Sequence, residues 1–221
     1  MAIKPILFNT EMVRAILDGR KNCTRRIVKP QQFVGMLPDK CKNGVPEEFL
    51  KEKKLMFKPY CDMTDIELIN TTYKAPYQPG DILYVRETWG YPIALNSDKQ
   101  YVFRADEVAE SGFKNDSHIW YPSIHMPKEA ARIWLKVTDV RVERLQEMTL
   151  KDFKAEGIYD EYKTYSETYT DHLRQMAYPK VFARLWNSTI KKSDLDKYGW
   201  DANPWVWAIE FERCEKPEEC E

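Results

Sequence analysis

Three segments with a two-residue hydrophobic period constrain the fold of this chain more than any other feature. Residues 132–145 (RIWLKVTDVRVERL) alternate strictly at first, which puts Ile133, Leu135 and Val137 on one face of a strand. Residues 79–89 (PGDILYVRETW) give a turn followed by β-branched and aromatic residues, and 204–214 (PWVWAIEFERC) alternate again. The inward face of this last strand would carry Trp205, Trp207, Ile209 and Phe211. These patterns predict long strands in one sheet.

Shorter elements surround these strands. The apolar residues Met12, Val13, Ile16 and Leu17 have helical spacing and predict a helix that is capped by Asn9 or Thr10 and ended by Gly19. A second helix is predicted over 149–157, with a capping box that starts at Thr149 and a stop at Gly157. A third amphipathic helix over 179–186 would bury Val181, Phe182, Leu185 and Trp186, and a shorter helix is expected near 46–53. Shorter strands are expected over 24–28 and 101–107.

The order of elements predicts one α+β domain over residues 1–221, built around a small mixed barrel with short helices. Insertions are expected at about 31–75, where regular patterns are weak and prolines are frequent, and at 158–178, which is polar and rich in tyrosine.

Composition excludes several classes of protein. The 221 residues are 43% hydrophobic and 31% charged, without the run of about 20 apolar residues that a membrane helix needs. The five cysteines are odd in number and have no CxxC spacing, so a reduced, cytoplasmic protein without a metal site is expected. No nucleotide-cofactor fingerprint is found, and we expect no cofactor. With a net charge of −1, contact with nucleic acid would depend on a local basic patch.

One such patch is GRKNCTRRIVK, residues 19–29, which holds five cationic side chains and no carboxylate. It lies between the stop of the first helix and the start of a strand. Alternation puts Thr24 and Arg26 on one face of that strand and Arg25 on the other, so we expect Arg26 to point into a site beside Thr24 and Arg25 to point away. The same run could lower the thiol pKa of Cys23.

Four motifs in this order resemble the ASCH-domain family: GRKNCTRR, YQPGDILYVRETW, RIWLKVTDVRVERLQEMTLKDFKAEGI and PWVWAIEF. The segments WYPSIHMPKEAARIWL and FARLWNSTI are similar to a longer subgroup found in bacteriophages and prophages. The resemblance implies a β-barrel related to the PUA RNA-binding domain, and RNA or a modified nucleoside as the partner.

A compact member of this family removes the acetyl group from acetylcytidine with a lysine, a threonine and a glutamate. That member is much shorter than this chain, which implies a further insertion at about 90–125 here. The G-[RK]-K-x-x-T pattern of that enzyme matches Lys21 and Thr24 here, and its glutamate matches Glu156. Another family member is described as a ribonuclease. The resemblance therefore implies an amidohydrolase as the first hypothesis, a non-catalytic RNA-binding module as the second and a ribonuclease as the third.

The chemistry of the first hypothesis is consistent with the residue types. Thr24 would be the nucleophile and would need a base, and Lys21 is close enough in sequence to serve once it is neutral. Arg20, Arg25 and Arg26 would favour the neutral amine, since like charges disfavour protonation, and would also hold an anionic intermediate. Glu156, at the negative end of its helix, would shuttle a proton. As an ordinary residue it would be a solvated carboxylate at a helix end.

The remaining candidates are predicted to bind the substrate or to be structural. Glu87 shares a strand face with apolar residues, and Arg25 or Arg26 is its expected ion-pair partner. His125 would contact the substrate or simply sit in an ordered turn. Trp89, Asn203 and Trp205 would cradle a planar base, or would be core tryptophans and a turn residue.

Overall fold

The computed structural model describes residues 1–29, 73–92, 100–107, 119–158 and 167–218. The helix expected near 46–53 and parts of all three expected insertions lie outside these residues. The elements in chain order are β1 (Ile3–Leu7), α1 (Thr10–Leu17), β2 (Cys23–Ile27), β3 (Ile82–Arg86), β4 (Trp89–Gly90), β5 (Val102–Phe103), β6 (Trp134–Arg144), α2 (Leu150–Ala155), α3 (Glu167–Thr189), α4 (Leu195–Tyr198) and β7 (Trp205–Cys214). Short 3₁₀ turns lie at Arg104–Asp106, Ser123–His125, Lys128–Ala130, Leu145–Glu147, Lys192–Asp194 and Trp200–Ala202.

The five longer strands form one mixed sheet with the order β1-β3-β6-β7-β2. β1 runs parallel to β3, and the other neighbours are antiparallel. The two edge strands are linked by one side chain, because Arg26 on β2 donates a hydrogen bond to the carbonyl oxygen of Leu7 on β1 at 2.9 Å. The sheet therefore curls toward a barrel, and the predicted α+β fold class is confirmed.

The core face of β6 changes register halfway along the strand. Val137 pairs with Phe211 and Asp139 pairs with Glu210, so Thr138 is an extra residue that forms a β-bulge. Before the bulge Val137 faces the main core, and after it Val140 and Val142 do so. The bulge allows one long strand to serve the core along its whole length although its sequence alternation shifts by one residue.

Two hydrophobic clusters lie on opposite faces of the sheet. The inner one contains the alternating residues of β7 that the sequence predicted, Trp205, Trp207, Ile209 and Phe211, all at most 5% exposed. The outer cluster joins Val206 to α2 and α3 through Phe153, Phe182 and Trp186. β7 is thus covered on both faces, which explains why Val206 and Ala208 are also buried.

The helices agree with the sequence in type and differ in extent. α1 begins after Asn9, whose side chain accepts a hydrogen bond from the Met12 amide, and α2 has the expected capping box between Thr149 and Asp152. α3 is much longer than the predicted 179–186 and contains Pro179. The prediction that Val181 is buried is wrong, because this side chain is 48% exposed.

Candidate active site

The centre of the candidate site is Lys21, at the corner between α1 and β2. Gly19 turns the chain there with a φ of +72°, and the Lys21 amide donates to the carbonyl of Ala15 at 2.9 Å. The Lys21 side chain is fully buried, and its Nζ has three acceptors: the carbonyl oxygen of Cys23 at 2.7 Å, the carbonyl oxygen of Glu156 at 3.1 Å and Glu156 Oε2 at 2.5 Å. Three acceptors match the three donors of an ammonium group.

Glu156 reaches Lys21 because α2 ends directly above the α1–β2 corner. Glu156 is the C-cap of α2, and Gly157 follows with a φ of +88°. A Cβ atom on Gly157 would lie 2.8 Å from the Cβ of Ala15 and 2.9 Å from the Cβ of Lys21. Only glycine allows this close approach in this backbone conformation, so Gly157 fixes the carboxylate over the amine.

Arg25 holds the second oxygen of the same carboxylate. Its Nη1 donates to Glu156 Oε1 at 3.1 Å, its Nε donates to Glu143 Oε1 at 2.7 Å, and its Nη2 lies 3.1 Å from Asp152 Oδ1. The Arg25 side chain has no exposed surface. Burial alone would lower its pKa, but the negative charges of Glu156 and Glu143 outweigh burial and raise the pKa above its ordinary value.

The expectation that Arg25 points away from the site was wrong. The alternation itself holds, since Arg25 Nη1 and Cys23 Sγ share a strand face at 3.8 Å. However, α2 packs on that outer face of β2 and brings Glu156 with it, so the arginine that contacts the candidate carboxylate is Arg25. Because it is buried and saturated with carboxylates, Arg25 presents no surface to nucleic acid in this structure.

Cys23 is not an activated thiol. Burial first, and then the Glu156 carboxylate, raise its pKa to about 12, although Arg25 and Lys21 act in the opposite direction. The expectation that the basic run lowers this pKa was therefore wrong, because desolvation disfavours the thiolate more than the nearby cations favour it.

Thr24 and Arg26 lie on the inner face of β2. Thr24 pairs with Ile209 and Arg26 with Trp207 on β7, and Thr24 is only 3% exposed. The ring of Phe8 contacts both cations, with Arg26 Cζ 5.6 Å and Lys21 Nζ 5.7 Å from its centroid. Within the described residues, no hydrogen bond joins the Thr24 hydroxyl to the Lys21 amine.

A cleft of about 410 Å³ opens beside Glu156, between α1, the end of α2 and α3. Its walls include Glu156, Arg20, Ile158, Tyr178 and Leu185. Arg20 donates to the carbonyl oxygen of Gly157 at 2.7 Å, which ties this wall to the α2 terminus. The volume lies within the range of small-molecule sites in proteins.

Glu87 forms a separate buried charge cluster, and its predicted partner was wrong. Neither Arg25 nor Arg26 contacts it in the structure. Arg132 does, with Nε 2.9 Å from Oε1 and Nη2 3.0 Å from Oε2, and Glu87 is 1% exposed. Burial raises the pKa of Glu87, and Arg132 only partly offsets this. The sequence offered no signal for Arg132, because the pairing depends on where β3 and the start of β6 meet in space.

The structure does not bring together the three residues expected to cradle a base. Trp89 lies in a cluster with Met126 and Trp134, whereas Trp205 belongs to the inner core and packs under Arg144, whose Cζ is 4.3 Å from the ring centroid. Asn203 adopts a left-handed turn with a φ of 45°, and its side-chain oxygen accepts from the Gln146 amide at 2.8 Å. These contacts favour the structural interpretation of Asn203 and Trp205.

His125 is exposed in the 3₁₀ turn that precedes β6. In the part of the chain that the structure describes, no cluster of three or more His, Cys, Asp or Glu side chains could hold a metal ion. Over the same residues, no helix combines the length and hydropathy needed to cross a membrane.

Comparisons with known proteins give little further guidance. No family model matches the chain, and no curated protein matches it significantly. Among solved structures, an ASCH domain from Lactobacillus crispatus JV V101 aligns with 96% of this chain and 79% of its own, with a TM-score of 0.36 and 11% sequence identity. A likeness of this size shows nothing about function.

Proposed function

We propose that this protein is a hydrolase that cleaves the amide bond of an acylated nucleoside such as acetylcytidine, with Lys21, Thr24 and Glu156 as its catalytic residues. The main observation in favour is the buried Lys21–Glu156 ion pair, with Lys21 Nζ 2.5 Å from Glu156 Oε2 and Glu156 in the wall of a cleft. Two ionisable groups from distant parts of the chain, buried next to a cleft, are a recurring feature of active sites.

The proposed reaction starts with proton transfer within this pair. Glu156 Oε2 takes a proton from Lys21, and the neutral amine then accepts the proton of the Thr24 hydroxyl. The Thr24 oxygen bonds to the acyl carbon, the C–N bond breaks, and the nucleoside amine leaves with a proton from Glu156. Water then hydrolyses the threonyl ester and releases the acid.

Arg25 has a positioning role in this scheme. It binds Glu156 Oε1, and this leaves Oε2 directed at Lys21. The hydroxyl of Thr24 must approach the amine when substrate binds, as catalytic hydrogen bonds are often incomplete before the substrate complex forms.

The experiment measures release of cytidine and acetate from acetylcytidine by chromatography. The variants Thr24→Val, Lys21→Met and Glu156→Gln are each expected to lose at least about 100-fold in kcat/KM. Thr24→Val is the most informative, because it keeps the shape of the side chain and leaves the buried ion pair intact. Thr138→Val and Lys154→Met, both at exposed positions, are the matched controls.

Full turnover by Thr24→Val with a native melting curve would contradict the proposed nucleophile. Absence of turnover by the wild-type protein on acetylcytidine and related acylated nucleosides would contradict the proposed reaction.

A second candidate function is RNA binding without catalysis, and one observation favours it. The rings of Tyr91 and Tyr121, 54% and 37% exposed, pack against Trp89 with centroid distances of 5.2 Å and offer flat surfaces for base stacking. Binding of single-stranded RNA that weakens with salt and with Tyr91→Ala, in a protein without turnover, would favour this candidate. RNA cleavage that survives Thr24→Val would instead favour a ribonuclease.

A further inference from the structure

A second cleft of about 550 Å³, lined by other residues than the proposed active site, lies beside the Glu87 cluster. The rings of Tyr101, Phe103 and Trp120 form part of its wall, and Ala130 and Ala131 also line it. Its volume fits a small organic molecule or one long side chain. Lys21, Thr24 and Glu156 are not among its lining residues, so a ligand bound in this cleft would not occupy the proposed active site.

The charges around this cleft are unbalanced. Among its described lining residues, Arg132 is the one cationic side chain, and both edges of its guanidinium group are already bound: Glu87 takes one edge, and Asp106 accepts from Nη1 at 2.8 Å with each oxygen. The acidic residues of the lining are Asp106, Glu107 and Glu129, and Glu87 is bound to Arg132 beside them. Acidic residues therefore outnumber the one cationic side chain among the described lining residues, and the resulting negative field repels phosphate and attracts cations.

The aromatic wall of the cleft also favours a positively charged ligand. The guanidinium of Arg132 lies over the ring of Phe103, with its Cζ 4.1 Å from the centroid. One face of the wall therefore already holds a cation in this structure, through the attraction between positive charge and an aromatic face. Burial first, and then the negative charge of Glu129, raise the pKa of the Tyr101 hydroxyl. This hydroxyl thus stays neutral, and the Tyr101 ring, which also packs against Trp89 and Tyr91, is part of the cleft wall that a ligand would contact.

We propose that this cleft binds an organic cation, an ammonium or guanidinium group, between the aromatic wall and the Glu129 carboxylate. The cation is either a free small molecule or the side chain of a basic peptide. Both sources share one chemistry. A positively charged group with apolar neighbours is stabilised by cation–π attraction to the aromatic rings and by the negative electrostatic potential of the cleft.

The test uses the full chain and two matched pairs of probes. Choline is compared with its uncharged isostere 3,3-dimethylbutan-1-ol, and a capped peptide with one arginine is compared with the same peptide with citrulline. Binding is followed by amide chemical-shift changes in two-dimensional NMR spectra, which also locate the site. We expect the charged probe of at least one pair to bind about tenfold more tightly than its neutral partner, with shifts at residues 101–103 and 129–132.

Variants separate the two contributions. Glu129→Gln, at an exposed position, is expected to weaken binding of the charged probe about threefold or more without changing the melting temperature. Tyr101→Leu is expected to abolish binding, while Asp201→Asn, an exposed carboxylate on a different 3₁₀ turn, leaves binding unchanged.

Each outcome decides the proposal. Preferential binding of choline indicates a free cation, and preferential binding of the arginine peptide indicates a side chain. Equal affinity for charged and neutral probes, shifts elsewhere in the protein, or no shifts with any probe would overturn the proposal. Because none of these readouts involves acetylcytidine, failure here leaves the hydrolase test unaffected.

Discussion

Two buried glutamates, Glu156 and Glu87, are bound by cations in different ways. Glu156 has two cations, Lys21 and Arg25, both without exposed side-chain surface. Glu87 has Arg132, which is 28% exposed and is shared with Asp106. In the Glu156 cluster both cations are fully buried, although Glu156 itself lies in the wall of a cleft, whereas in the Glu87 cluster the cation is partly exposed and lines the second cleft.

The two clusters differ in how far the nearby cations and hydrogen bonds offset the cost of burying a charged carboxylate. Both carboxylates are desolvated, which disfavours charge in each case. At Glu87 the single guanidinium does not fully compensate, and the pKa is raised. In the Glu156 cluster, burial alone would raise the pKa of Asp152, but the hydrogen bonds of Thr149 and the charge of Arg25 outweigh it and lower the pKa.

The largest expected effect is that of Arg25→Leu. This change leaves Glu143, Asp152 and Glu156 without their shared cation, so we expect the free energy of unfolding to fall by about 3–5 kcal/mol. Urea denaturation at neutral pH measures it. Arg213→Leu, at an exposed position of β7, is the control and should change stability by less than about 0.5 kcal/mol. A loss below about 1 kcal/mol for Arg25→Leu would be typical of an exposed ion pair and would contradict the role of Arg25 as a buried cation shared by three carboxylates.

A smaller effect is expected for Arg132→Leu, about 1–3 kcal/mol at neutral pH. The partly exposed site admits water, and Glu87, whose pKa is already raised, can take up a proton when its partner is lost. The same variant should therefore lose less stability at pH 5 than at pH 7 in matched urea titrations. An equal loss at both pH values would show that Glu87 stays charged without Arg132.

The two clusters should respond to acid in opposite directions. The folded-state pKa of Asp152 is lowered from 3.8, so its contribution is present above that value and is lost as the pH falls through the folded pKa. The folded-state pKa of Glu87 is raised from 4.5, so its contribution is present below that value and is lost as the pH rises through the folded pKa.

We therefore expect the stability advantage of wild type over Asp152→Asn to shrink on acidification below about pH 4. The advantage over Glu87→Gln should instead grow as the pH falls from 7 toward about 4.5. Thermal melts of the three proteins across this pH range measure both differences. Parallel curves for the two variants would show that the clusters do not differ in this respect.

The smallest effect is expected on the surface of the sheet. Lys136 and Glu212 are 4.0 Å apart and more than half exposed. Glu212→Gln should change the free energy of unfolding by less than about 0.5 kcal/mol, and added salt should remove even that change. A larger effect would mean that exposure is a poor guide to the strength of ion pairs in this protein.

Hydrophobic periodicity was sufficient to predict much of the local structure. The strands β2, β3, β6 and β7 and the helices α1 and α2 follow from alternation, caps and glycine stops, because these signals lie within a few residues of one another. β1 was missed, since a five-residue edge strand beside β3 is defined mainly by its distant partner.

Contacts between distant segments were less predictable. The candidate site residues came from the family resemblance, and the geometry of Lys21 and Glu156 depends on where α2 ends. Alternation predicted that Arg25 and Arg26 lie on opposite faces of β2, but it could not show on which of these faces a helix would pack. The Arg132–Glu87 pair has no pattern in sequence for the same reason.

The bulge at Thr138 keeps the apolar residues of β6 on one face although their spacing changes between Val137 and Val140. Deleting Thr138 would leave a regular strand in which Val140 and Val142 still face the core and Asp139 and Arg141 still face outward. Deleting Arg141 instead would turn Val142 outward, because Val140 and Val142 would then be neighbours on opposite faces. A deletion at the bulge should therefore lower the melting temperature far less than a deletion at Arg141.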